Sequence, residues 1–225
     1  MPSNWFKSVP QLYAAQYLNS GTGDTVLGGT LSGVPSNVAA GAGDANRPGD
    51  RLILGAEDAT ALSDTTIGTL YQGMYQYVLA KSGSTGTATR GRAVWWDTAV
   101  ADLTYQVTPD ETGSQATALF AGVVITSTIA KGSYWWVQQT GRVFVRYKAA
   151  MTGTPADGQA IYHSVAGAGA DLGTFDNFGG DATAITYTLF GTFLQKYVGV
   201  ARGLPVNGGI ATTVEIPFGV VKHRI

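Results

Sequence analysis

The chain has two histidines, His163 and His223, and no cysteine among its 225 residues. Without a thiol, neither cysteine nucleophiles nor thiolate metal sites are available. Neither histidine has a partner at metal-ligand spacing, and neither lies beside a serine nucleophile turn. His163 occupies a strand pattern and reads as a half-buried strand residue. His223, in Lys222-His223-Arg224, reads as a solvated tail or a contact with an acidic neighbour. The carboxylates come in small groups: Glu57-Asp58 in a turn, and Asp110-Glu111 after Pro109 in a loop. Asp171, Asp176 and Asp181 run through a Gly-rich stretch that could hold calcium, but the alternating ligands ending in Glu are missing. A glycosidase needs two carboxylates facing across a cleft, one in an apolar setting. No local pattern here announces such a pair. The reading is of a protein that is not an enzyme and has no cofactor and no metal site.

The aromatic residues offer binding rather than catalysis. Trp95-Trp96 and Trp135-Trp136 are adjacent pairs. Neighbours in a strand point to opposite faces, so one of each pair is expected in the core and the other exposed or at an interface. A carbohydrate platform is the alternative use. Tyr71, Tyr75 and Tyr77 alternate along one strand and are expected at the core edge or a subunit interface. Trp5, Phe6, Tyr13 and Tyr17 are the aromatic residues of the N-terminal segment and the candidate contacts of an arm. The glycines at 28–29 and 41–43 lack the strand-loop-helix context of a phosphate-binding loop.

The elements that must position these residues are strands. Phe120 to Tyr147 holds dense β-branched and aromatic runs separated by Gly132 and Gly141, with no helical period. A similar pattern recurs later. Ala121-Gly122-Val123 matches Val198-Gly199-Val200, Gly132 matches Gly209 and Val137 matches Val214, all 77 residues on (199−122). Gly141 and Val143 match Gly219 and Val221 one residue further. Upstream, Gly91 to Trp96 echoes Gly158 to His163 at an offset of 67 (158−91). Residues 91–147 and 158–221 therefore read as two copies of one β unit, with loops at 97–117 and 164–184. Earlier, residues 51–54 read as a strand, 56–62 as a short helix or turn, and 70–79 as a long strand. The fold class expected is all-β, a sandwich or barrel, with two similar halves that could pack into one closed barrel. The domains expected are an extended Gly/Ala-rich N-terminal arm over 1–50 and a β domain over 51–225.

Charged residues make up 13% of the chain and the net charge is −1. That charge share is about half the usual one, so part of the surface is expected to be buried against partners. No basic field invites nucleic acid. No apolar run reaches the roughly 18 residues that span a bilayer, and the N-terminus lacks a secretory pattern. A soluble protein released inside the cell that makes it is expected, with neither nucleic acid nor membrane as partner. Residues 20–50 are low in complexity and would order only against another surface.

The sequence GRAVWWD, then FAGVVI, then KGSYWWVQQTGRVFV resembles the G-x-x-V…GV…GD-x-x-x-V-x-x-x-G pattern of tailed-bacteriophage capsid decoration (cement) proteins. The resemblance covers 91–147 well and 158–221 less fully. The Gly-Asp of the pattern is Gly132-Ser133 in the first copy and Gly209-Ile210 in the second. It implies a small β domain on the outer capsid surface of a virion, a homotrimer tying neighbouring major capsid proteins together. A head or tail fibre subunit and a carbohydrate-binding module are the alternatives. The length and long helix of a major capsid protein are missing.

Overall fold

The computed structural model describes Gly49 and residues 51–63, 69–81, 88–97, 105–109, 119–125, 128–129, 134–151, 156–165, 172–177, 197–205, 208–209 and 213–217. The fold is an all-β barrel architecture, with one short helix among the described residues. In chain order come β1 (Arg51–Leu54), α1 (Ala56–Leu62), β2 (Gly73–Ala80), β3 (Ala88–Thr89), β4 (Ala93–Trp96), β5 (Gln106–Thr108) and β6 (Phe120–Val124). Then follow β7 (Thr128–Ile129), β8 (Tyr134–Gln138), β9 (Gly141–Phe144), β10 (Ala160–Val165), β11 (Leu172–Asn177), β12 (Tyr197–Arg202) and β13 (Thr213–Ile216).

The first large sheet runs β1-β2-β5-β4-β6-β8, and β8 returns to pair with β2. That return closes five strands into a barrel and leaves β1 as a sixth strand beside β2. Closure removes exposed strand edges. The second sheet runs β11-β10-β12-β13-β9. It closes through a parallel bridge between Tyr147, just past β9, and Phe175 of β11. The Lys148 N–H donates to Phe175 O at 2.9 Å, and the Phe175 N–H to Arg146 O at 2.9 Å.

The two barrels share one register. In the first, Ala93 pairs with Val123 and Val94 with Gly122, a bulge follows, and Trp95 pairs with Phe120. In the second, Ala160 pairs with Val200 and Ile161 with Gly199, a bulge follows, and Tyr162 pairs with Tyr197. Both pairings, bulge included, are related by offsets of 67 (160−93) and 77 (200−123). Val123↔Gln138 recurs as Val200↔Glu215, and Tyr75↔Gln138 as Arg142↔Glu215. The parallel pair Ala80↔Val107 recurs as Tyr147↔Phe175. Even the closing bond recurs: the Lys81 N–H donates to Val107 O at 2.8 Å where Lys148 donates to Phe175 O.

The repeat seen in the sequence thus has structural counterparts at Gly122/Gly199 and Val137/Val214, but its units begin elsewhere. Each opens with the strand that closes its own barrel, β2 in one and β9 in the other. Gly141 and Val143 belong to the second unit, opposite Ile216 and Val214 of β13. They are counterparts of Met74 and Gln76, not of Gly219 and Val221. The two halves do not combine into one barrel, because each sheet already closes on itself. The stretches read as loops also hide β5 and β11, which pair with β4 and β10 at matching places.

Packing follows from that closure. Trp95, Trp96 and Trp136 are all buried, as are Tyr75, Tyr147 and Phe175. Each large aromatic withdraws about 200 Å² from water, worth roughly 5 kcal/mol before entropy is charged against it. His163 joins the barrels. Its ring lies stacked on Phe120 (5.9 Å, 11°) and edge-on to Trp95 (5.5 Å), both residues of the first barrel. Gly173 of β11 also sits close against the first barrel, since a Cβ there would meet Ala93 O at 2.8 Å.

Candidate functional site

The seam between the barrels is held by glutamines and ends in an open cleft. Gln138 closes β8, and its Nε2 donates to Thr140 O (3.0 Å) and Arg142 O (2.9 Å). Buried Gln139 donates from Nε2 to Gln76 Oε1 (2.5 Å) and Ala121 O (3.1 Å). These amides fix where β9 leaves the first barrel, and so where Arg142 stands.

Arg142, Phe144 and Arg146 share one face of β9, while Val143, Val145 and Tyr147 on the other face are buried. The Arg142 Nε donates to Thr213 Oγ1 at 2.7 Å, and its Cζ lies 5.3 Å from the Tyr71 ring centre. Thr213 is itself buried, so that bond is shielded. Tyr71 meets Phe144 at 5.5 Å, and Arg90 lies over the Phe144 ring at 5.7 Å. The result is a row of guanidinium, phenol, phenyl and guanidinium. Each cation–π contact of this kind contributes about 0.5–1 kcal/mol at an exposed site. Next to the row lies a cleft of about 490 Å³, floored by Ala56, Ala59 and Leu70 and flanked by Arg142 and Glu215. Glu215 stands opposite Arg142 in the ladder. Among the described residues no ion pair joins them.

Tyr75 and Tyr77 are not available to a partner, since both are buried in this chain's own core. The Tyr75 hydroxyl donates to Tyr71 O, and Tyr77 packs on Trp136 at 5.2 Å. Burial pushes the Tyr75 phenol pKa above its ordinary range, against the lowering effect of that bond. Tyr71 alone of the three reaches the surface, half-buried at the cleft. Trp5, Phe6, Tyr13 and Tyr17 lie outside the described residues.

Both members of the pair Trp95-Trp96 are buried, one against His163 and the other against Tyr105, so neither forms a sugar platform. A two-sided barrel wall accounts for this: one face fills the barrel and the other fills the seam. Asp176 lies in β11, not in a loop, and is buried with Lys148 Nζ at 3.8 Å. That geometry removes it from the calcium reading; Asp171 and Asp181 lie outside the described residues. His163 is fully buried rather than half-buried. Among the described residues no group of three or more histidine or carboxylate side chains is placed to hold a metal ion. Arg142 was not singled out from sequence. The available signal was its position 67 residues after Tyr75 (142−75), a charge where the first copy has an aromatic ring.

No protein-family model and no curated protein matches this chain. Among solved structures, the chain is similar to the N base of head fibre gp8.5 of bacteriophage phi29. The two share 13% identity at a TM-score of 0.37, over 64% of this chain and 92% of that one. The likeness is slight on both measures.

Proposed function

We propose that this chain is a structural protein of a bacteriophage virion that binds the outside of the capsid and bridges neighbouring major capsid proteins. The observation that carries the reading is the body itself: two closed barrels of common register, sealed by a seam of buried aromatics. Such a body leaves little strand edge open and works as a rigid clamp. The motif resemblance of residues 91–147 to decoration proteins supports it, and so does the 13% charge content, which suits a surface partly covered by partners. In this reading residues 1–50, with Trp5, Phe6, Tyr13 and Tyr17, make the capsid or neighbour contacts, and the assembled protein is a homotrimer. It acts by mass action: a protein that binds the finished shell and not its free subunits stabilises the shell.

The test is co-sedimentation with capsids of the phage that carries this chain, prepared without it. The full chain pellets with mature capsids and raises their disruption temperature. A chain lacking residues 1–20 stays folded and remains in the supernatant. Normal binding by the truncated chain would show that the arm is not the anchor. Failure of the full chain to bind any capsid would remove the reading altogether.

A further inference from the structure

Two barrels of one register ought to treat equivalent faces alike, and one pair of faces does not. In the first barrel the face of β2 bearing Tyr75 and Tyr77 is buried, with exposures of 0% and 3%. Strand β1 pairs along β2 there, and Leu54, Ala59 and Leu70 pack into the same core. In the second barrel the residues at those places are Arg142 and Phe144 (142−75 and 144−77 are both 67). Arg142 is exposed and Phe144 half-buried. Among the described residues no strand pairs along this face as β1 does on β2, and it carries a cation, Arg142, where the covered copy carries the Tyr75 phenol, and the Phe144 ring where that copy carries Tyr77.

The cations are also pre-set. Arg142 spends its Nε on buried Thr213 and one face of its guanidinium on Tyr71. Its two Nη groups have no partner among the described residues. A guanidinium already held in place loses little freedom when it binds a carboxylate. Arg90 lies over the Phe144 ring at 5.7 Å.

We propose that the cleft and the β9 row form a docking site for an extended acidic segment of a partner polypeptide, with one carboxylate on Arg142 and another, four residues along, toward Arg90. Three successive contacts of 5.3, 5.5 and 5.7 Å separate the two guanidiniums, a span of up to about 16 Å that outward-facing residues four apart in an extended chain, about 13 Å, reach with glutamate side chains. The alanine and leucine floor accepts small apolar residues of the segment beyond the carboxylate held on Arg142. Glu215 at the cleft wall accepts a backbone N–H of such a segment, and it would repel a nucleic-acid backbone, which is charged at every residue. A pyranose would need a bare aromatic face, and both neighbours of the Tyr71 ring are already in place.

The probe is a fluorescein-labelled peptide of about eight residues, Gly and Ala with two Glu four positions apart, followed by anisotropy against the full chain at about 50 mM salt. Its Gln counterpart and a thymidine oligonucleotide of similar length are titrated beside it. The Glu peptide is expected to saturate, with the Gln peptide at least ~10-fold weaker, a difference of ~1.4 kcal/mol. Arg142→Gln is expected to weaken the Glu peptide by ~10-fold and Arg90→Gln by ~3-fold, each with the fold kept and a melting temperature lowered by only a few degrees for the lost ring and Thr213 contacts. No saturation below roughly 1 mM would overturn the proposal. So would equal binding of the Glu and Gln peptides, or indifference to Arg142→Gln. Tighter binding of the oligonucleotide would overturn it in favour of a nucleic-acid surface.

Discussion

Replacing Gly199 by alanine tests the duplicated register at its tightest point. A Cβ at Gly199 would lie 2.0 Å from Glu215 O, 2.8 Å from Glu215 C and 3.0 Å from Val214 Cγ1. Ordinary contact needs about 3.4 Å, so β13 must retreat by more than an ångström beside the pair Val200↔Glu215. Overpacking of this kind costs roughly 1–3 kcal/mol, and one or two lost ladder bonds add about 1 kcal/mol each. The sum is about 2–5 kcal/mol, or a fall of roughly 4–20 °C in Tm for a chain of this size. Gly122 is the same place in the first barrel, where a Cβ would meet Gln138 O at 2.8 Å and φ is +153°. Its alanine variant is expected to lose about 2–3 kcal/mol. Gly158 is the control: a Cβ there meets nothing within 4 Å, but φ is +74°, so alanine loses only ~1 kcal/mol. Urea unfolding followed by tryptophan fluorescence gives all three values. The expected order is Gly199→Ala worst, then Gly122→Ala, then Gly158→Ala. A Gly199→Ala variant within ~0.5 kcal/mol of the parent would refute the close approach and the shared bulge with it.

Three further outcomes follow from the same packing. Trp95→Ala removes a fully buried ring that touches His163 across the seam, and should lose about 3–5 kcal/mol and split unfolding into two transitions; a single transition would show that the barrels are coupled elsewhere. Burial raises the Tyr147 phenol pKa above its ordinary range, so folding holds the neutral form. Its contribution is intact below the ordinary phenol pKa of about 10 and fades at higher pH, so Tyr147→Phe should flatten the fall in urea midpoint between about pH 9 and pH 11; an unchanged slope would exclude Tyr147 as a source. Lys81 Nζ lies 3.0 Å from buried Asp97, whereas Lys148 Nζ lies 3.8 Å from buried Asp176, and both lysines are about a third exposed. Lys81→Met should therefore lose about 1–2 kcal/mol and Lys148→Met less than ~1 kcal/mol, with equal losses counting against the distance argument.

The sequence showed the fold class, and it showed the repeat wherever a tight backbone demanded glycine. Gly122 and Gly199 stand out because a neighbouring carbonyl leaves no room for a Cβ, and that constraint leaves a trace in both copies. β5 and β11 left no such trace. Gln106-Val107-Thr108 is three residues long, and Leu172–Asn177 is polar and carries a glycine, so neither has a strand pattern of its own. They exist as strands because they complete a barrel wall. The boundary between units was misplaced for a related reason. Tyr134–Gln138 and Gly141–Phe144 look like one hairpin, but they do not pair with each other and enter different sheets.

The site was legible only in part. The tyrosine ladder was visible, but whether Tyr75 and Tyr77 face a partner or their own core depends on what covers β2, and alternation cannot say. Arg142 looks like an ordinary strand-surface cation until its counterpart Tyr75 is known. Only the register makes the exchange of ring for charge visible.

The most direct test of the virion assignment is a cryo-electron-microscopy reconstruction of the phage particle that carries this chain. The account predicts paired-barrel density on the outer face of the head at local threefold axes, with each copy touching two or more major capsid subunits. A bare head lattice, with the chain found in another part of the particle or missing from it, would contradict the account.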